Sequence, residues 1–187
     1  MLLRPLEMAQ EMVRGAVLAG ETVVDATLGN GHDALFLAGL VGAGGRVIGF
    51  DVQTEAIESS QRKVEAAGVA ADVFSFYCVG HEYLSDYVEG PVAAVMFNLG
   101  YLPRADKAVI TTVETTLPAL EQALSLLRVK GVLSIMCYPG HEGGEAEAEA
   151  VVQWASELTR EQARVMRYGM VNAPNSPAFL IAIEKVR

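Results

Sequence analysis

Asp25-Ala-Thr-Leu-Gly-Asn-Gly31 lies between an apolar run, Thr22 to Ala26, and a helical pattern, His32 to Val41. A strand that passes through a glycine turn into a helix opens a crossover unit, and its glycines let the backbone bend where side chains would block it. The same alternation continues in both directions. Upstream, about Pro5 to Ala19 reads as a helix. Downstream comes strand Arg46 to Phe50, then helix Thr54 to Ala67, whose Ala56, Ile57, Ser60, Val64 and Ala67 fall near one face. Strands at Val73 to Cys78, Val92 to Phe97 and Val132 to Cys137 are followed or separated by helices at about Lys107 to Leu127 and Glu145 to Leu158. Such alternation builds an α/β sheet of parallel strands joined by helices. At the C-terminal end, Ala163 to Val171 and Phe179 to Glu184 flank Asn172-Ala-Pro-Asn-Ser-Pro177 with no helix between them. That pair is expected to be antiparallel.

The 187 residues fit one domain, 1–187, with 51% hydrophobic and 20% charged residues, which excludes a disordered or collagen-like chain. Uncharged stretches are short or broken by Gly, Asn and Pro, so no membrane span or membrane partner is expected. Fourteen basic against 23 acidic residues give a net charge of −9 and exclude a broad basic surface gripping nucleic acid by phosphate contacts alone. Cys78 and Cys137 each sit in an apolar run and read as reduced core thiols of a cytoplasmic protein. No Cys/His ligand spacing points to a metal, and the region of Arg4 and Glu7 lacks the apolar core of a signal peptide. Glu142, Glu145, Glu147 and Glu149 read as the solvated start of the last helix, where its dipole favours negative charge.

A Gly-x-Gly turn alone is weak evidence of a ligand. Here a second acid, Asp51, closes the second strand, where a carboxylate accepts hydrogen bonds from both ribose hydroxyls of an adenosine. A dinucleotide site would want a third glycine where Ala34 stands. Asp25 and Asp33 would also repel a pyrophosphate, whereas they suit a cofactor carrying an ammonium and a sulfonium. The expected cofactor is therefore S-adenosylmethionine.

Asp25, Thr27, Gly29 and Gly31 match the first motif of the class I S-adenosylmethionine-dependent methyltransferases, which this sequence resembles. More narrowly it resembles the bacterial rRNA-methylase family. The resemblance rests on Asp25 through Asp33, Phe50-Asp-Val-Gln53, Gly80-His81, Asn98-Leu-Gly-Tyr-Leu-Pro103, Tyr138-Pro-Gly-His141 and the Asn-x-Pro loop before Phe179 to Lys185. These blocks span nearly the whole chain; Arg104-Ala-Asp-Lys107 departs from the glycine-rich turn of that family. The resemblance implies a Rossmann-like fold with a mostly parallel seven-stranded sheet, a C-terminal antiparallel pair and helices on both faces. It also implies methylation of the amine of 5-aminomethyl-2-thiouridine at the tRNA wobble position, recognition of the anticodon loop, and a homodimer. Carried onto this chain, it places the cofactor against Asp25, Thr27, Gly29, Asn30, Gly31, His32, Asp33, Asp51, Gln53, Gly80, His81, Asn98 and Leu99.

Asn98 ends the fourth strand at the sheet edge where ligands bind. Asn98-Leu-Gly-Tyr101 is similar to the Asn-Pro-Pro-Tyr motif of methyltransferases acting on exocyclic amines, with Leu99 and Gly100 replacing both prolines. An Asn oxygen can accept from an amine and a Tyr ring can stack on a base, so Asn98, Tyr101 and His141 are the candidate catalytic residues. Gly100, Tyr101, Pro103, Arg104, Lys107, Asn172 and Asn175 are the candidate substrate contacts. His32 and His81 read either as pocket walls or as a helix-start and a loop hydrogen bond. Three rivals remain open at this level: a methyltransferase of an rRNA base or small-molecule amine, a nicotinamide-dependent oxidoreductase, and a catalytically silent cofactor-binding module.

Overall fold

The computed structural model describes residues 2–101, 109–174 and 177–187. Helix α1 (Pro5–Ala16) precedes strand β1 (Thr22–Asp25), followed by α2 (His32–Val41), β2 (Arg46–Asp51), α3 (Thr54–Ala66) and β3 (Phe74–Cys78). The short helix α4 (Leu84–Tyr87) leads to β4 (Val92–Asn98), then α5 (Val113–Leu126), β5 (Leu127–Cys137), α6 (Gly144–Glu157), β6 (Ala163–Gly169) and β7 (Phe179–Lys185). The seven strands lie in the order β3-β2-β1-β4-β5-β7-β6. The first five are parallel, and β7 runs antiparallel to both β5 and β6.

Strand alternation sends neighbouring residues to opposite faces, and both faces are covered. Val23, Val47, Ala94 and Met96 pack with Val13 of α1, Leu37 and Val41 of α2 and Ile57 of α3. Val24, Ile48, Val95, Phe97 and Ile135 pack with Leu84 of α4, Leu120 of α5 and Val151 of α6. Burying a Leu or Ile in such a layer contributes about 1.5–3 kcal/mol. Among the described residues, no helix is long and apolar enough to cross a membrane.

Several expectations need correction. Helix α5 begins at Val113, because Thr112 forms its capping box and Ile110 is bridged to Tyr101; the expected start at Lys107 lies outside the described residues. Strand β5 begins at Leu127, five residues before the expected Val132, passing through Lys130 at φ 62. α1 ends at Ala16 and β6 at Gly169, short of Ala19 and Val171. Cys78 is exposed, since β3 is an edge strand; only Cys137 is a core thiol. Glu147 is not solvated: it is 3% exposed.

Candidate active site

The strand order reverses direction between β1 and β4, and at such a switch point the loops leaving the carboxyl ends diverge and leave a crevice. The crevice here is a cleft of about 1020 Å³. Its floor is the β1–α2 turn. Gly29 and Gly31 have φ 49 and 70, a region open chiefly to glycine, and a Cβ on Gly31 would lie 2.7 Å from Ser60 Oγ. Gly31 therefore shapes the turn from behind while Gly29 and Asn30 line the cleft. Ser60 Oγ donates to the Gly29 carbonyl at 3.1 Å, and Ser59 Oγ donates to Asn30 Oδ1 at 3.1 Å, tying the turn to α3.

Asp51, at the end of β2, takes the Gly29 N–H on Oδ2 and the Gln53 N–H on Oδ1, both at 2.9 Å. Burial raises its carboxyl above the ordinary range. Each oxygen keeps a lone pair, so the group can still accept two ligand hydroxyls. Val52 beside it lines the cleft, whereas Gln53 is outside the lining and caps α3.

Asp25 is buried, with Oδ1 accepting the Thr27 N–H at 3.3 Å and Oδ2 lacking any partner among the described residues. Burial, then the charge of Asp33, pushes this carboxyl well above the usual carboxylate range. His81 is likewise buried, and burial lowers its pKa. Its Nδ1 lies 3.1 Å from the Ala26 carbonyl, which can only accept, so Nδ1 carries the proton and Nε2, without a partner among the described residues, is an acceptor. Orphaned buried polar atoms are rare in folded proteins. Those of Asp25 and His81 belong to residues that line one cleft beside an acid placed for a ribose, and fit a cationic adenosyl ligand.

The other wall starts at Asn98. Its backbone N–H donates to Thr27 Oγ1 at 2.7 Å, and its Nδ2 donates to Asp33 Oδ2 at 2.6 Å. Asp33 Oδ1 takes a second bond, 3.1 Å, from Gln10 of α1. Leu99 is buried against β5 through its N–H to the Met136 carbonyl, and Gly100 bonds Thr111. Tyr101 is 39% exposed, and its ring meets that of His141 edge-on at 5.6 Å between centroids. His141 Nδ1 lies 2.9 Å from the Glu142 carbonyl, and Nε2 has no partner among the described residues.

The remaining candidates are dispersed. Gly80 lines the cleft; His32 lines its rim but is exposed, with Lys63 Nζ 3.3 Å from both ring nitrogens. Asn172 is exposed and outside the lining. Pro103, Arg104, Lys107 and Asn175 lie outside the described residues. Leu6 and Gln10 of α1, Val52, Ile110, Thr111, Tyr138 and Ala178 also line the cleft, none of them among the candidate site residues. Val52 and Tyr138 immediately follow strand ends, a signal that was there to use; nothing in the pattern of α1 marks Gln10.

This sheet order, with an acid-lined cleft at its switch point, defines a class I S-adenosylmethionine-dependent methyltransferase. Residues 47–184 match the family model described as "Putative rRNA methylase", and the chain belongs to that family. It is 33% identical over 188 residues, 96% of this chain and 69% of the relative, to the chloroplastic tRNA (mnm(5)s(2)U34)-methyltransferase of Arabidopsis thaliana. A crystal structure of the same family description from Clostridium thermocellum superposes with a TM-score of 0.97 at 38% identity, covering 100% of both chains. A methyltransferase structure from Streptococcus mutans in complex with SAH, the demethylated form of the cofactor, gives a TM-score of 0.91 at 36% identity, again over 100% of both chains.

Proposed function

We propose that this enzyme methylates the aminomethyl nitrogen of 5-aminomethyl-2-thiouridine at the wobble position of tRNA. The observation that carries the reading is the bonding of Asn98. Its NH₂ gives one N–H to Asp33, and a carboxylate only accepts, so the amide orientation is fixed and Oδ1 is left as an acceptor. An acceptor at the strand edge suits a substrate that donates N–H. The name of the Arabidopsis relative supports the wobble uridine of tRNA as the bearer of that amine.

Asp51 would hold the ribose, Asp25 Oδ2 the cationic amino-acid end, and His81 Nε2 a donor on the cofactor, with Phe50, Val52 and Val79 as apolar walls. S-adenosylmethionine, when bound, supplies an electrophilic methyl group. Asn98 Oδ1 accepts from the amine and points its lone pair, so that most of the acceleration comes from alignment. Tyr101 offers a stacking face to the splayed base. Burial disfavours the ammonium form of the amine, and His141 Nε2 is the group assigned to receive the proton released after transfer. Arg104 and Lys107, just beyond the motif, are assigned to flanking phosphates, and Pro103, Asn172 and Asn175 to the rest of the nucleotide. We place the reaction in the cytoplasm, in keeping with the free thiols Cys78 and Cys137, and take the homodimer from the family resemblance.

The test incubates the protein with labelled S-adenosylmethionine and either tRNA bearing the aminomethyl group or the same tRNA lacking it, followed by mass spectrometry of the nucleosides. Label in the first tRNA alone is expected. Equal labelling of both, or labelling at another nucleoside of the tRNA, overturns the substrate and leaves the cofactor assignment standing.

A further inference from the structure

Glu147 lies outside the cleft lining, in the first turn of α6, and is 3% exposed. Its Oε1 accepts from Thr116 Oγ1 at 2.6 Å and its Oε2 from Thr111 Oγ1 at 2.9 Å. Burying a carboxylate is costly unless every bond is made, so an apolar residue would fill this position more cheaply if packing were its whole purpose. What the carboxylate reaches is Gly100. Thr111 Oγ1 takes the Gly100 N–H at 2.7 Å, the Thr111 N–H returns to the Gly100 carbonyl at 2.9 Å, and the adjacent Tyr101 and Ile110 form an antiparallel bridge. Gly100 itself stands at φ 119, a conformation open to glycine and rarely to other residues.

We infer that Glu147 is a positioning residue for methyl transfer, acting through the Thr111 hydroxyl to clasp Gly100 and so fix Asn98 and Tyr101 on either side of it. The inference rests on the acceptor reading of that loop. A carboxylate is suited to the task because it only accepts, which forces both threonine hydroxyls to donate to it. The Thr111 oxygen is thereby oriented toward the Gly100 N–H, and a hydroxyl that donates to a charged group becomes a stronger acceptor. A glutamine could present its NH₂ to either threonine and would lose that direction. The N-terminus of α6 favours the charge.

The experiment measures single-turnover methyl transfer to tRNA bearing the aminomethyl group, with S-adenosylmethionine affinity by calorimetry, for Glu147→Gln, Thr111→Val, Thr111→Ser, the double variant Glu147→Gln/Thr111→Val, and Asn98→Ala. Misplacement of the acceptor loop should slow transfer by about tenfold to a hundredfold in Glu147→Gln and Thr111→Val, with cofactor affinity within about twofold of the parent. Thr111→Ser should restore the rate, and the double variant should be no slower than the slower single one, because both substitutions open the same clasp. If Glu147→Gln does not fold, Thr111→Val against Thr111→Ser decides. Parental rates in the clasp variants beside a slow Asn98→Ala overturn the clasp alone. Parental rates in all of them, Asn98→Ala included, overturn the acceptor reading and the clasp with it.

Discussion

The two walls of the cleft hold their polar groups by different means. On the cofactor side, the Asp51 carboxylate is fixed by the backbone N–H groups of Gly29 and Gln53, and the turn beneath it by glycine conformations with two serine hydroxyls of α3 behind them. On the acceptor side the fixing is done by side chains from distant elements: Asp33 of α2 and, behind it, Gln10 of α1 for Asn98, and Thr111 with Glu147 of α6 for Gly100. A wall held mainly by backbone should keep its geometry unless the backbone path changes, so that it fails through the turn or through the binding carboxylate itself. A wall built from side chains can be loosened one hydrogen bond at a time, altering rate while leaving affinity for the cofactor.

The severest break of the cofactor wall is Gly31→Ala. The left-handed backbone costs an alanine about 1–2 kcal/mol, and crowding against Ser60, whose Cβ would be 2.9 Å and Cα 3.0 Å away, adds about 1–3 kcal/mol. Thermal or urea unfolding should show a loss of roughly 2–5 kcal/mol, together with weakened S-adenosylmethionine binding. A variant as stable as the parent, with parental affinity, would show that the turn is free to move.

Smaller but more selective is the crossed pair Asp51→Ala and Asn98→Ala. Loss of charge-assisted bonds to a ribose should weaken cofactor binding by about 1.5–3 kcal/mol in Asp51→Ala. Asn98→Ala should keep cofactor affinity and slow single-turnover transfer by about tenfold to a hundredfold. Calorimetry and rapid quench on both variants give a two-by-two outcome; both variants losing affinity and rate alike would erase the distinction between the walls.

The same division decided how much could be read from the sequence. Helix α2 starts and stops where its pattern says, and the Asp25 to Asp33 and Asp51 blocks are legible because backbone-held sites announce themselves through glycines and acids at strand ends. The acceptor wall was read at Asn98 and Tyr101 but not at their supports. Glu147 falls on the buried stripe of α6, one turn before Val151, yet among four nearby glutamates it looks solvated. Residues 109–111 continue an apparently helical run, and only their pairing with Gly100 and Tyr101 takes them out of it. Cys78 sits in an apolar run that cannot declare itself an edge strand, because strand order is a property of the whole sheet.

The mildest change probes the cofactor wall through its own electrostatics. Burial, with the Asp33 charge second, holds the Asp25 carboxyl well above the ordinary carboxylate range of about 3.9. Between that unfolded value and the raised folded one, the folded chain keeps a proton that the unfolded chain has lost. Stability is therefore full below the unfolded pKa and falls as pH rises toward the folded one. Asp25→Asn has nothing to ionise, and its oxygen can still accept the Thr27 N–H. It should flatten the pH dependence of stability above about pH 4, though not abolish it, since burial raises Asp51 in the same direction. At pH 7 the ligand-free variant should melt about 2–4 °C higher than the parent, the shift that about 1 kcal/mol produces in a chain of this size. Added S-adenosylmethionine should then raise its Tm by less than it raises the parent's, because the acid facing the cationic end is gone. A lower Tm at pH 7 with an unchanged pH slope would mean that Asp25 is held by bonds that outweigh its burial, and that the cofactor wall carries no stored charge for the ligand to relieve.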